Sequence, residues 1–377
     1  MASTYSEIEK KSKFTFTIRE LGIFLLLLFI NLKFTSITII QNRSMVIDLI
    51  VYALFVITFN YSNWNYKKLI PSFLIIGLYT LINFSEFKIN ILVPLLIIQS
   101  VSGIRFKRYL WINLIITGLM LLFMYASYGL GKNMAGWTFL VDRQIRMSFG
   151  FNHPNVAAMY YFCFLVNILL LLGYSKFKKF IPIYLIIIAP IWLFVYKKTG
   201  SRSFLLSLVI LYGSYFYYYL GVLINKKNLL IVSRYVYTSL IVIFSSLTIY
   251  FALAKDNYLY LNKILSGRLS LYNKFLDDLT LKDFIFGSSA YRDNIIDSSY
   301  LHLLFEGGFI FFILVAVYYV VATTKMVQKK DWIPICVILS FMSYGLMESI
   351  LLYGILIGSN IFWILLYYYY SNGKMKL

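Results

Sequence analysis

Four short stretches of this chain hold the residue types needed to grip a phosphorylated ligand or handle a hydroxyl. The first runs from Asp142 to Asn155 and carries Arg143 and Arg146 ahead of His153 and Pro154. Proline suits a first helical turn, with Asn152 or His153 near the N-cap. Backbone N–H groups at such a start form an anion seat, and two arginines stand just upstream; a plain helix start is the alternative. The second stretch is Thr199-Gly200-Ser201-Arg202-Ser203. The planar fork of Arg202 matches phosphate geometry, or else it snorkels to lipid head groups. In the third, Ser266-Gly267-Arg268, Ser266 is the expected N-cap of an amphipathic helix over 268–279. Arg268 then opposes the helix dipole by ~0.3–1 kcal/mol, which favours an anion sharing the site. The fourth runs from Asp297 through Tyr300, His302 and Glu306 to Gly307-Gly308. His302 and Glu306 lie four apart on one helical face. An acid in a membrane costs ~2.5–3.5 kcal/mol at mid-depth, so Glu306 needs a partner or a wet cavity. Asp297, at the helix entrance, is better placed to meet a substrate; Gly307-Gly308 reads as close helix packing.

The elements that must position these residues are almost all apolar. Of 377 residues, 60% are hydrophobic and 13% charged, and the mean hydropathy is +0.76. Runs of about twenty apolar residues recur from end to end, each long enough to cross ~30 Å of hydrocarbon as a helix. That pattern excludes a set of soluble domains and a membrane barrel, whose strands would alternate. The expectation is a single all-α membrane domain over 1–377. Its twelve spans fall near 21–40, 45–61, 69–84, 89–104, 109–131, 154–174, 180–196, 203–224, 229–254, 299–322, 332–346 and 351–370.

The net charge of +20 sits in short clusters between the apolar runs. Such clusters set topology and meet anionic lipids, so nucleic acid is not an expected partner. With the N-terminus inside, the inward connections hold 19 lysines and arginines, and the short outward ones hold five: Arg43, Lys88, Lys197, Lys198 and Arg202. Both termini are therefore expected in the cytoplasm. Two long segments, 132–153 and 255–298, fall outside. From Lys255 to Glu306 the chain concentrates its ionisable groups, and a membrane protein so arranged is expected to work there. Cys163 and Cys336 both lie in apolar runs, which indicates neither a disulfide nor a metal site.

With its frame of twelve spans and a large late outer loop, the chain resembles the Wzy-type polysaccharide polymerases and the related O-antigen ligases. The resemblance is carried by Arg146-Met147-Ser148-Phe149-Gly150-Phe151-Asn152-His153-Pro154-Asn155, Thr199-Gly200-Ser201-Arg202, Ser266-Gly267-Arg268, and Asp297-Ser298-Ser299-Tyr300 running on to Glu306-Gly307-Gly308. It implies a GT-C-like fold that joins undecaprenyl-diphosphate-linked oligosaccharides at the outer face of the bacterial cytoplasmic membrane, with no cofactor or metal. Arginines matching Arg268 and Arg202 are then expected to hold the diphosphate. Ligases of this pattern carry a histidine where Asp297 stands, which favours a polymerase.

Glycosyl transfer from a lipid diphosphate requires stabilisation of the leaving group and an oriented acceptor hydroxyl, whose deprotonation is left open by the sequence. The expected assignment has Arg268 and Arg202 on the diphosphate, assisted by Arg143, Arg146 or Arg292. Asp297, or His153, handles the hydroxyl. His302, Glu306, Tyr300 and Asn155 are supporting candidates. Donor and acceptor glycolipids, membrane lipids, a chain-length regulator and a flippase are the expected partners. An O-antigen-ligase-like transferase and a lipid-linked oligosaccharide flippase are the alternatives. A transporter usually shows an internal repeat, and none is visible here.

Overall fold

The computed structural model describes residues 17–32, 44–59, 96–130, 138–141, 144–151, 153–223, 227–265, 267–288, 296–349 and 360–371. The expected span near 69–84 lies outside them, as do most of the turns that would carry Arg143, Ser266 and Arg292. The helices are α1 (Ile18–Leu32), α2 (Ser44–Thr58), α3 (Phe106–Gly129), α4 (Pro154–Gly173), α5 (Ile181–Thr199), α6 (Arg202–Leu223) and α7 (Lys227–Leu253). They continue as α8 (Leu259–Ile264), α9 (Arg268–Asp277), α10 (Leu281–Phe286), α11 (Ser299–Gln328), α12 (Trp332–Tyr344) and α13 (Asn360–Tyr370). Among the described residues five helices are long and apolar enough to cross a membrane, and a sixth is counted if a bent pair is one span. The outward faces of these helices are apolar: Ile183, Ile186, Ile187, Ile191 and Leu193 on α5 are all exposed. A bundle with lipid for its solvent has that surface.

One departure from an all-helical reading falls in the expected outer loop 132–153. Residues β1 (Thr138–Val141) and β2 (Gln144–Met147) pair antiparallel, with Phe139 opposite Arg146. Gln144-Ile-Arg-Met alternates polar and apolar residues as a strand does. Ile145 points away from the protein and is exposed, while Arg146 is partly buried against the bundle. Phe149 and Gly150 both have positive φ, 49° and 87°. Two left-handed residues in succession turn the chain sharply, carrying it from β2 to the start of α4.

α12 packs along α6, α11 along α7, and α4 along α3, around one large apolar core. A second, smaller core forms where α7 ends. There the helix Tyr237–Leu253 meets Lys255–Lys263 at 92°, so the chain leaves the span and runs across its end. Ala252 of α7, Leu269, Tyr272 and Phe275 of α9, and Leu301 and Phe305 of α11 close that core. α9 is thus held against the bundle by the apolar stripe expected for it.

The cap of α9 differs from expectation. Its N-cap is Gly267, at φ 80°, and donates no side chain to the helix. The backbone N–H groups of Leu269 and Ser270 instead reach Asn262 Oδ1, at 3.0 and 3.4 Å. Asn262→Ala is expected to leave these donors unpaired and to destabilise the fold by about 1 kcal/mol. A fall of a few degrees in the thermal midpoint of the detergent-solubilised protein would register it.

α11 begins at Ser299 as expected but is broken within. Gly308 has φ 76° and ψ 169°, outside any helix. The Gly307-Gly308 pair therefore breaks the helix, and at Gly308 it also allows the close approach expected of it, against the backbone at the end of α10. The turn before it, from Ser299 to Gly308, is wholly buried.

Candidate functional site

Arg268, at the first position of α9, faces two carboxylates. Its Nε lies 2.7 Å from Asp297 Oδ2 and its Nη2 lies 3.8 Å from Glu348 Oε1. Nη1 donates to the carbonyl of Met347 at 2.9 Å. The anion that the helix-dipole reasoning called for is thus supplied by the chain itself. About a quarter of each of the Arg268 and Asp297 side chains is open to solvent, and 19% of Glu348. These ion pairs sit at an opening, where water screens them.

Glu348 occupies the turn 345–349 that follows α12. Its Oε1 accepts from Asn155 Nδ2 at 2.5 Å and from Ser203 Oγ at 3.3 Å. Ser203 is in turn 3.0 Å from Ser201. The Glu348 carbonyl accepts from Ser299 Oγ at 2.5 Å, and the Ser299 N–H reaches the Gly345 carbonyl at 2.8 Å. One residue therefore joins the starts of α4, α6 and α11 to the start of α9. All four termini lie at one end of the bundle. Burial pushes the Glu348 carboxyl up to about 8; Asp297 adds to that, while Arg268, Ser203 and Arg146 oppose it.

His153 is the N-cap of α4 and Pro154 opens the helix, as the sequence predicts. His153 Nδ1 accepts the N–H of Asn155 at 3.1 Å. Partial desolvation holds the imidazole below its ordinary value; Asp297 pulls against this, and Arg146 and Arg268 reinforce it. The ring is thus within electrostatic reach of both arginines and of Asp297.

Arg146 reaches the same end of the bundle from β2. Its Nε is buried without a hydrogen-bond partner among the described residues. Gly200 makes room for it: a Cβ there would stand 3.0 Å from Arg146 Nε and 3.3 Å from its Cδ. Gly200 has φ 61° and ends α5 in the left-handed conformation. The guanidinium therefore lies over the C-terminal end of that helix, where cations are favoured. The same effect explains Lys197 and Lys198, which fill the last turn of α5.

The other candidates are placed differently. Arg202 begins α6 between Ser201 and Ser203, but its side chain is exposed. It makes no ion pair or hydrogen bond among the described residues. It is near the cluster along the chain without joining it. Tyr300 is buried and donates its hydroxyl to the Met342 carbonyl at 2.7 Å, a packing role between α11 and α12. His302 Nε2 and Glu306 Oε2 are 2.6 Å apart and both buried, so the expected pair forms. His302 Nδ1 lies 3.1 Å from Ser349 Oγ, which donates to the Ile296 carbonyl. That relay fixes the turn carrying Glu348 against the loop carrying Asp297. Arg143 and Arg292 lie outside the described residues.

Arg268, Asp297, His153, Asn155 and Arg146 thus converge, although they are scattered over more than 150 positions of the sequence. The member that sequence reasoning missed is Glu348. Its signal was slight: one acid between two apolar runs, on the side where the other charged motifs gather. The whole is a helical protein of membrane type with an array of carboxylates, guanidinium groups and an imidazole at one end. Comparisons with family models, with curated proteins and with solved structures find no match to this chain.

Proposed function

We propose that this protein is a glycosyltransferase of the Wzy type, polymerising undecaprenyl-diphosphate-linked repeat units into a capsular or exopolysaccharide chain. In this reading it is a GT-C-like protein of about twelve spans in the bacterial cytoplasmic membrane, with both termini inside and the cluster at the outer face. One observation carries it: guanidinium, carboxylate and imidazole groups from distant segments meet at one end of an apolar bundle, partly open to water. Glycosyl transfer from a lipid diphosphate needs that set and nothing activated beyond the donor.

In this reading Arg146, whose buried Nε has no hydrogen-bond partner among the described residues, and Arg268 receive the diphosphate. Asp297 holds the Arg268 fork in place, and the incoming phosphate competes with Asp297 and Glu348 for it. Arg202, exposed beside the cluster, meets the lipid or glycan that approaches from outside. In this reading a flippase supplies repeat units before the step, and a chain-length regulator acts on the growing polymer. Gly200→Ala tests the placement of Arg146. The added methyl crowds that side chain and strains a left-handed residue by about 1 kcal/mol. Polymer yield is expected to fall severalfold while protein level stays near that of the parent, read from a glycan ladder and an immunoblot of the same cells.

Deletion of the gene tests the reading itself. Single lipid-linked repeat units are expected to accumulate in the outer leaflet, with no polymer. Accumulation in the inner leaflet would identify a flippase, and finished but unattached polymer would identify a ligase.

A further inference from the structure

The loop 345–349 brings to the cluster a carboxylate that no motif in the sequence announced. We propose that Glu348 is the group that takes the proton from the acceptor hydroxyl. This assignment rests on the glycosyl-transfer reading above.

The geometry divides the carboxylate into two unlike oxygens. Oε1 accepts from Asn155 and Ser203 and faces Arg268 Nη2. These neighbours come from α4, α6 and α9, so Oε1 is held from three directions. Oε2 has no hydrogen-bond partner among the described residues, and it is not among the buried, unsatisfied atoms. With 19% of the side chain open, that oxygen is the one presented to an arriving hydroxyl. A base needs this arrangement: held at one oxygen, free at the other.

The other two candidates are already engaged. Asp297 Oδ2 lies 2.7 Å from Arg268 Nε, so that oxygen is occupied in holding the guanidinium. His153 turns Nδ1 toward its own helix, accepting the Asn155 N–H. The charged and titratable groups that face Glu348 are Arg268 and Tyr272 from α9, Asp297 ahead of α11, Arg146 from β2 and Tyr344 at the end of α12; His153, ahead of α4, faces Asp297, Arg146 and Arg268. Burial outweighs Arg268, Ser203 and Arg146 and leaves the carboxyl raised to about 8.

In the step, the acceptor oxygen forms a bond to the anomeric carbon of the donor. The bond from that carbon to the diphosphate oxygen breaks, and its electron pair stays on the phosphate. The hydroxyl proton passes to Glu348 Oε2, giving a neutral carboxyl. The added charge on the lipid diphosphate is met by Arg146 and Arg268. Glu348 then returns its proton to water.

The test uses the full chain in proteoliposomes with a lipid-diphosphate-linked repeat unit as donor and acceptor. The wild-type rate is expected to rise with pH through about 8, because the base must be ionised. Glu348→Gln is expected to lose roughly 100-fold or more of the rate and the pH-dependent limb with it. Its binding of the lipid diphosphate should not weaken, since Glu348 competes with the phosphate for Arg268 and does not hold the ligand. Ser203→Ala removes a donor that lowers the Glu348 value, so its limb should move to higher pH even if Glu348→Gln fails to fold. A Glu348→Gln protein with near-normal rate and an unchanged limb would overturn the assignment. So would equal losses of binding and rate, or a Ser203→Ala limb that does not move. If the wild-type chain makes no polymer, the glycosyl-transfer reading fails and takes this assignment with it.

Discussion

Arg268→Ala is expected to abolish polymer longer than a single repeat unit, with transfer reduced about 100-fold to 1,000-fold, the range seen when one charge-stabilising donor is removed. The expectation follows from what the guanidinium touches. It faces Asp297 at 2.7 Å, Glu348 at 3.8 Å and the Met347 carbonyl at 2.9 Å. Without it, two carboxylates confront each other across a partly closed site, and the turn that carries Glu348 loses an anchor. Because these groups are about one-fifth to one-quarter exposed, the loss of fold stability is modest, about 1 kcal/mol after solvent screening. In the proposed transfer the loss of rate is far larger, since a leaving diphosphate would develop charge with only Arg146 left to meet it. Arg268→Lys keeps the charge but not the fork that spans Asp297 and Glu348. It is expected to restore only a small part of the activity. A glycan ladder on a gel, read beside the level of each variant in the membrane, distinguishes these outcomes. Long polymer from a well-expressed alanine variant would remove Arg268 from the mechanism.

Gly308→Ala is expected to have the largest effect on folding. At φ 76° and ψ 169° only glycine is comfortable, and strain in that region is about 1–3 kcal/mol. A methyl there would also stand 2.4 Å from the Gly287 nitrogen and 2.6 Å from the Ile285 carbonyl oxygen. Gly287 answers from the other side, its own added Cβ falling 2.2 Å from the Glu306 carbonyl oxygen. Both obstacles are backbone and cannot swing away. Between them, the Ser288 N–H donates to the Phe305 carbonyl at 2.8 Å, and Phe284 stacks on Phe309. Overpacking adds a further ~1–3 kcal/mol, so the total of about 2–6 kcal/mol reaches the lower end of a typical domain's stability. The variant should fail to accumulate or should unfold many degrees below the parent in a detergent melt. Gly307→Ala is the control. Its Cβ would meet the Phe311 ring, a side chain that can move, and the effect should be much smaller. Equal melting of Gly308→Ala and the parent would show that α10 does not dock on the break as described.

The sequence made some of this legible because local rules sufficed. Pro154 and His153 mark the start of α4 through the fixed φ of proline and the need for a cap. The stripe Leu269, Tyr272, Phe275 lays α9 on the bundle because helical spacing decides it. The pairing of His302 with Glu306 follows from four-residue spacing. Other features depend on tertiary contacts that no local pattern encodes. Arg202 shares its stretch with Ser203, which reaches Glu348, yet its own side chain points outward. Adjacent residues at a helix start diverge by about 100°, so a motif cannot say which one faces inward. Gly307-Gly308 suggests close packing but not the break in α11, which accompanies the approach of Gly287 from 21 residues before Gly308. Glu348 lies between two apolar runs with no cap, repeat or partner nearby in sequence. Only the folding of α12 beside α6 brings it to Asn155 and Ser203.

The central claim is that this end of the bundle receives a prenyl diphosphate and transfers its glycan. It is tested most directly by supplying the purified chain, in proteoliposomes, with a lipid-diphosphate-linked repeat unit and no nucleotide sugar. The prediction is a ladder of glycans on the lipid carrier, formed by the wild-type chain and missing with Arg268→Ala. Repeat units that remain single with the wild-type chain, or that merely cross from one leaflet to the other, would contradict it.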